Sequence, residues 1–172
     1  FGSGGSLAEG RWGHTATLLP DGRVLVIGGW RNDDELGHVT IAAAEIWDPA
    51  TEKFSETGSM TARRSWHSAT ALPGGRVLVV GGGSDDGEAL SAEIWDPATG
   101  RFTLSGPMLQ ARSNHTADLL PDGRVLIVGG ERLEGGSPRM AELWDATKTY
   151  ATVPAASLAL AACAADQDPL TA

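Results

Sequence analysis

One sequence pattern occurs three times, at intervals of about fifty residues, and this constrains the fold of the 172-residue chain more than any other feature. His14, His67 and His115 begin the stretches HTATLLPDGRVLVIGG, HSATALPGGRVLVVGG and HTADLLPDGRVLIVGG. The histidines lie 53 and 48 residues apart. A period of this length indicates a row of similar supersecondary units, each packed against its neighbours, rather than one unrepeated core.

Each unit contains four β-type segments separated by turn residues. Strand A follows the histidine, and Pro-Asp-Gly-Arg in the first and third units (Pro-Gly-Gly-Arg in the second) turns the chain into strand B, because proline fixes φ and glycine accepts positive φ. Strand B is apolar without alternation, which predicts a strand covered on both faces. Strand C reads AEIWD in the first unit, and strand D follows after Asp-Pro-Ala-Thr. A fifty-residue unit built only of short strands is typical of a β-propeller blade.

The three units also share paired glycines that close strand B, a tryptophan in strand C and an aromatic residue that opens strand D. These residues are Gly28–Gly29, Gly81–Gly82 and Gly129–Gly130; Trp47, Trp95 and Trp144; and Phe54, Phe102 and Tyr150. On these residues the chain resembles the kelch-repeat family, in particular propellers of the bacterial kelch and galactose-oxidase-like type. The resemblance implies an all-β, kelch-type β-propeller with four-stranded blades.

The phase of the repeat predicts the segments of the chain. Residues 1–13 are expected to form an outer strand of a preceding blade and its connection, and residues 157–172 the degenerate start of a further blade or a tail. The three blades between them are expected at 14–66, 67–114 and 115–156. Kelch propellers usually have six or seven blades, so three blades form a partial propeller. We expect a longer parent chain or other chains to complete it.

Several charged and aromatic residues recur at fixed positions, and we interpret them as scaffold rather than chemistry. A catalytic group is needed once, whereas a residue that packs or pairs within a blade is needed in every blade. We therefore predict arginine–glutamate pairs, histidines that hydrogen-bond locally at the start of strand A, and tryptophans packed between blades. The charged residues are Arg11, Arg64 and Arg112, with Glu45, Glu93 and Glu142.

Composition restricts the partners. The formal net charge of −9 argues against nucleic acid, because a nucleic-acid binder needs a basic face to displace counterions, and it favours a basic partner or a cation. The sequence contains no apolar run long enough to span a bilayer. The single cysteine, Cys163, leaves the redox compartment undetermined; a resemblance to exported bacterial proteins slightly favours an extracellular or cell-envelope location.

The loops between strands B and C differ most among the units, and they are our candidate partner-binding surface because loops carry binding while blades hold them in place. Trp30 is expected to be an exposed aromatic anchor. We interpret the charges of Asp85, Asp86 and Glu88 as solvated. The alternative is that these carboxylates bind calcium. The candidate residues are Trp30, Arg31, Asp33, Asp34, Glu35, His38, Asp85, Asp86, Glu88, Glu131, Arg132 and Glu134.

Two functions follow from these observations. The first is a non-enzymatic binding or scaffolding module that recognises a protein, or a glycan, through these loops, with no catalytic, cofactor or metal residues. The second is part of a galactose-oxidase-like copper radical oxidase, implied by the resemblance alone. Tyr150 takes the place of the packing aromatics and Cys163 that of the repeated histidine. Oxidase residues would therefore have to lie outside this chain, and we favour the binding module.

Overall fold

The computed structural model describes residues 2–85, 87–132 and 135–148. The described residues form an all-β structure, as the sequence predicts. One 3₁₀ turn, Pro73–Gly75, interrupts the strands of the second unit. The strands are β1 Thr15–Leu18, β2 Val24–Ile27, β3 Trp30–Asp33, β4 Gly37–Thr40, β5 Ala44–Asp48, β6 Lys53–Glu56, β7 Ser68–Ala71, β8 Val77–Val80, β9 Gly83–Ser84, β10 Gly87–Glu88, β11 Ser91–Asp96, β12 Arg101–Pro107, β13 Thr116–Leu119, β14 Val125–Val128 and β15 Glu142–Trp144.

The strands form one antiparallel sheet per repeat. The first two sheets have four strands, in the orders β1-β2-β5-β6 and β7-β8-β11-β12. The third sheet, β13-β14-β15, has three strands within the described residues, and Tyr150, the predicted opening of its fourth strand, lies outside them. Two short ribbons, β3-β4 and β9-β10, extend from the first two sheets. We call the three sheets blades 1, 2 and 3.

The hairpin between strands A and B follows from its turn residues. The amide of Gly22 donates to the carbonyl of Leu19 at 3.0 Å, with Pro20 and Asp21 in the corner. Gly22 has a φ of 87°, a backbone conformation that glycine adopts without steric cost. The carboxylate of Asp21 accepts a hydrogen bond from the amide of Arg23 and thereby closes the turn.

Apolar side chains fill the seams between neighbouring blades. Leu25 and Ile27 of β2 pack in one cluster with Val77, Val79 and Trp95 of blade 2. All four residues of β8 are fully buried, since alternate side chains point to blade 1 and to blade 3. This explains the continuous apolar run of strand B. The expected inter-blade packing of the strand C tryptophans is confirmed at Trp95.

Hydrogen bonds cross each seam at the paired glycines and the repeated histidines. The amide of Gly29 donates to the carbonyl of Arg64 at 3.0 Å, and the hydroxyl of Thr15 is bonded to Nε2 of His67 at 2.9 Å. The same contacts recur one blade later between Gly82 and Arg112 and between Ser68 and His115. The histidine bond thus reaches the preceding blade, whereas the sequence suggested a bond within the same strand region.

Buried ion pairs fasten each connection between blades to the blade that follows it. Arg64 Nη2 lies 2.7 Å from Glu93 Oε1, and both side chains are 0% exposed. The carboxylate of Glu93 also accepts a hydrogen bond from the amide of Thr61 at 2.7 Å. Equivalent pairs join Arg11 to Glu45 and Arg112 to Glu142. These pairs confirm that the recurring charges are scaffold.

The two ends of the row differ from its centre. Residues 2–10 contain no assigned strand, but the carbonyl of Gly4 accepts a bond from the indole of Trp47, as Thr57 does from Trp95 one blade later. At the other end, Val128 is 42% exposed although its equivalent in blade 2, Val80, is fully buried. The predicted degenerate strand at 157–172 lies outside the described residues.

Candidate binding site on the loop face

The loops between strands B and C meet the connections from the preceding blade on one surface, which we call the loop face. In each blade, the residue after the paired glycines forms an isolated antiparallel bridge with the residue two positions before the repeated histidine. The three bridges are Trp12 with Trp30, Ser65 with Gly83, and Ser113 with Glu131. The backbone geometry is the same in the three blades, so these positions are equivalent. The side chains at them differ from blade to blade.

The loop of blade 1 is a β-hairpin formed by β3 and β4. Its turn is closed by Asp33, whose carboxylate accepts hydrogen bonds from the amides of Glu35 and Leu36, both at 3.1 Å. Arg31 pairs with Asp33 at 2.7 Å and with Glu9 at 2.9 Å. The hydrogen bond from Arg31 is the main reason that the pKa of Asp33 lies below its usual value. These charges therefore hold the hairpin in shape.

Three aromatic rings stack at the base of this hairpin. The rings of Trp30 and His38 lie 4.5 Å apart at 14°, and those of Trp12 and Trp30 lie 6.1 Å apart at 20°. Trp30 is half-buried in this stack, whereas the sequence suggested an exposed anchor. The residue that is widely exposed is Trp12, at 67%. The stack fixes the orientation of the Trp30 indole before any ligand binds.

Trp66 is the most unusual residue of the loop face. Its φ is +58°, a left-handed conformation that is rare for a bulky side chain, and the side chain is half exposed. The equivalent residues are Gly13 and Asn114, types that adopt this conformation readily and do so here. The Trp66 ring lies close against Gly13, where an added Cβ would come within 3.0 Å of it. Strain of this kind is typical of functional positions.

A cavity of about 470 Å³ opens on the loop face, within the size range of small-molecule and side-chain pockets. Its walls come from all three blades, and they combine two indoles with hydroxyl and charged groups. The lining residues are Trp30, His38, Thr40, Ser65, Trp66, Gly83, Ser84, Asp85, Ser113, Glu131 and Arg132.

Asp85 links the loops of two blades at this cavity. Its Oδ2 accepts hydrogen bonds from the hydroxyl of Thr40 at 2.8 Å and from the amide of Thr40 at 3.1 Å. Thr40 ends the hairpin of blade 1, and Asp85 lies in the turn between β9 and β10 of blade 2. The carboxylate is therefore held at the cavity wall by bonds to the neighbouring blade.

The structure divides the predicted site residues into three groups. Those that line the cavity are Trp30, His38, Asp85, Glu131 and Arg132. Those that lie elsewhere on the loops are Arg31, Asp33, Asp34, Glu35 and Glu88. Asp86 and Glu134 are outside the described residues. Sequence reasoning missed Trp12 and Trp66, although both are tryptophans at positions where the other units carry serine, glycine or asparagine.

Two further features bear on what the described residues can bind: clusters of metal ligands and helices that could cross a membrane. Among residues 2–85, 87–132 and 135–148, no three His, Cys, Asp or Glu side chains come together as a metal site would require. The calcium alternative drawn from Asp85, Asp86 and Glu88 includes Asp86, which lies outside the described residues, and it stays a prediction. No helix found there is both long and apolar enough to cross a bilayer.

Comparison with known proteins matches the repeats at the level of sequence. A family model described as the Kelch motif matches residues 11–61. Adagio protein 3 of Arabidopsis thaliana is 35% identical over 86 residues, which cover 50% of this chain and 14% of that protein. Putative adagio-like protein 2 of Oryza sativa subsp. japonica is 33% identical over 86 residues, which cover 50% of this chain and 13% of that protein. The matches span about one seventh of the length of these plant relatives.

Comparison of structures supports the fold. The solved structure of YjhT superposes with a TM-score of 0.70 at 15% sequence identity. The match covers 81% of this chain and 50% of that chain. At this identity the likeness concerns the fold alone. This chain therefore spans about half of the solved structure that it resembles.

Proposed function

Since the chain belongs to the kelch-repeat β-propeller family, we propose that it is a non-enzymatic binding module that holds a protein partner on its loop face. Kelch repeats generally mediate protein interactions, which favours a protein over a glycan as the ligand. The proposal keeps the predicted blade boundaries at 14–66, 67–114 and 115–156. The bacterial origin suggested by the sequence also stays a prediction.

One observation carries the proposal: equivalent backbone positions of the three blades converge on the cavity with unlike side chains. Trp30, Gly83 and Glu131 occupy the same position in their blades, and all three line the cavity. Residues that recur, such as the Arg64–Glu93 pair, are buried inside or beside the blades. The residue types that recur in these examples thus belong to the scaffold, and the position at which the three blades differ lines the cavity. This is expected when loops carry recognition.

The environment of the repeated histidines supports a module without catalysis. Burial lowers the pKa of His67 to about 3 and that of His115 to about 4, so both rings are neutral at physiological pH. Both are committed to hydrogen bonds with the preceding blade through Thr15 and Ser68. A side chain held in this way serves packing rather than proton transfer at a surface.

The experiment is selection of binders and their transfer to variants. A random peptide library displayed on phage is selected against the immobilised chain, and binding of the selected peptides is measured for two variants. Trp66→Asn places at this position the residue that blade 3 carries there, with a similar φ of 55°, and is expected to weaken binding at least tenfold.

The matched control is Leu36→Asn, which changes a 73% exposed side chain in the hairpin turn that does not line the cavity. This variant is expected to bind the selected peptides like the unchanged chain. If peptides bind Trp66→Asn with full affinity, the cavity is not the binding site and the proposal fails.

A further inference from the structure

We propose that the cavity on the loop face receives a basic side chain, arginine or lysine, of the partner protein, held against the exposed part of Trp66 and paired with the carboxylates of Asp85 and Glu131. This inference rests on the proposed function and names the chemistry of its ligand. It is carried by three observations: two preorganised indoles, two carboxylates on the same walls and the charge of the chain.

Trp30 lines the cavity from the hairpin of blade 1, and Trp66 lines it from the connection between blades 1 and 2. Both are fixed before binding. Trp30 is stacked with His38 and with Trp12 and forms part of the wall. Trp66 is held by its contact with Gly13 and offers the exposed part of its indole to a ligand. The face of an indole attracts a cation more strongly than the face of any other aromatic side chain does. Preorganisation adds to affinity, because no rotamer freedom has to be lost on binding.

Because two carboxylates line the cavity, a cation complements it better than a neutral or anionic group does. Asp85 is held at the wall by Thr40, and Glu131 reaches the same cavity from blade 3. Two basic residues also line it, His38 and Arg132. His38 is stacked on Trp30, and Arg132 is not a free cation. The net charge of −9 adds a long-range attraction for basic partners.

The position of Trp66 makes this arrangement specific to the cavity. At the equivalent points the scaffold is satisfied by Gly13 and Asn114, so the blades do not require an aromatic side chain there. The tryptophan instead takes a strained backbone conformation and leaves half of its surface exposed at the cavity. A ligand that covers the ring explains why a large apolar group stands at this place.

The test uses three capped tripeptides as probes: Gly-Arg-Gly, its neutral isostere Gly-citrulline-Gly, and Gly-Lys-Gly as the second basic probe. They are titrated into the 172-residue chain, and the indole N–H signals of Trp30 and Trp66 are followed by NMR. The signals are assigned by their loss in Trp30→Phe and Trp66→Asn. We expect the basic probes to shift both signals with a Kd on the order of 1 mM, and the citrulline probe to bind at least tenfold more weakly.

Charge variants separate local pairing from the general field of the protein. Asp85→Asn keeps an oxygen for Thr40 but removes the charge, and it is expected to weaken binding of Gly-Arg-Gly about fivefold. Glu131→Gln is expected to act in the same direction. Glu56→Gln removes the same charge from an exposed position on β6 outside the cavity and is the control, with a change of less than about 1.5-fold.

The outcomes distinguish this inference from the proposed function. Equal binding of the arginine and citrulline probes, or equal effects of Asp85→Asn and Glu56→Gln, overturns the inference. If peptides selected from the library still depend on Trp66 in that case, the proposed function stands with a neutral ligand. If neither the selected peptides nor the basic probes respond to Trp66, both proposals fail.

Discussion

Replacing Arg64 with methionine is expected to lower the free energy of unfolding by about 3–5 kcal/mol, since it leaves a buried charge without its partner. The guanidinium of Arg64 donates to Glu93 at 2.7 Å, to the carbonyl of Ser91 at 2.8 Å and to the carbonyl of Gly81 at 3.0 Å. Methionine retains an unbranched apolar stem but satisfies none of these acceptors. Desolvation lowers the pKa of Arg64 despite its contact with Glu93, which shows how strongly this site penalises an unpaired charge.

The assay is urea unfolding followed by tryptophan fluorescence at pH 7, with thermal unfolding as a second measurement. For a chain of this size a loss of 3–5 kcal/mol corresponds to a fall in Tm of about 6–20 °C. Adding Glu93→Gln to the variant removes the uncompensated charge but keeps an acceptor for the amide of Thr61. The double variant is therefore expected to recover about half of the loss.

The control is Arg23→Met, which breaks the pair with Asp21 in the exposed turn of blade 1. Arg23 Nη2 and Asp21 Oδ2 lie 2.8 Å apart, a distance close to that of the buried pair, but the side chains are 35% and 50% exposed. An exposed pair contributes about 1 kcal/mol or less. If Arg64→Met and Arg23→Met destabilise the chain equally, the reasoning that burial makes the connection dependent on its ion pair is refuted.

Two further predictions concern the seams. Gly81→Ala and Gly129→Ala both place alanine at a positive φ. A Cβ at position 81 would lie 2.5 Å from the carbonyl oxygen of Arg112, whereas a Cβ at position 129 would have no atom within 4 Å. Urea unfolding should find Gly81→Ala at least about 2 kcal/mol less stable than Gly129→Ala, and equal stabilities would mean that the second seam is looser than described. The unfolded chain protonates at His67 near pH 6.5 while burial lowers the folded pKa to about 3, so stability is complete above pH 6.5 and falls as the pH drops towards 3. The free energy of unfolding is expected to fall by about 1.4 kcal/mol for each pH unit in that window. His67→Gln should make this dependence on pH weaker between pH 6.5 and 5. An unchanged slope would contradict the lowered pKa of His67.

The fold was predictable from the sequence because the same forces act in every unit. The turn at Gly22, the apolar run of strand B and the tryptophan of strand C are each needed in every blade, and repetition exposes them. The ion pairs were predictable for the same reason. A single sequence without the repeat would not have revealed which charges are buried.

The site was predictable only in its location. The sequence indicated the loops, but the burial of Trp30 depends on a hairpin that brings His38 onto its ring, and no local pattern encodes that contact. Trp12 and Trp66 lie in the connections before strand A, outside the variable loops, and the sequence interpretation missed them. The departure of one copy from its two equivalents was the available signal, and it has to be weighed position by position.

The hydrogen bonds across the seams have a consequence for the order in which the chain matures. The amide of Gly29 and the hydroxyl of Thr15 are bonded to Arg64 and His67, which come 35 and 52 residues later. During synthesis the N-terminal part emerges first. Blade 1 therefore lacks these two hydrogen bonds until Arg64 and His67 have left the ribosome. Blades 1 and 2 are each completed by the blade that follows, so the direction of translation is also the direction in which this part of the structure closes.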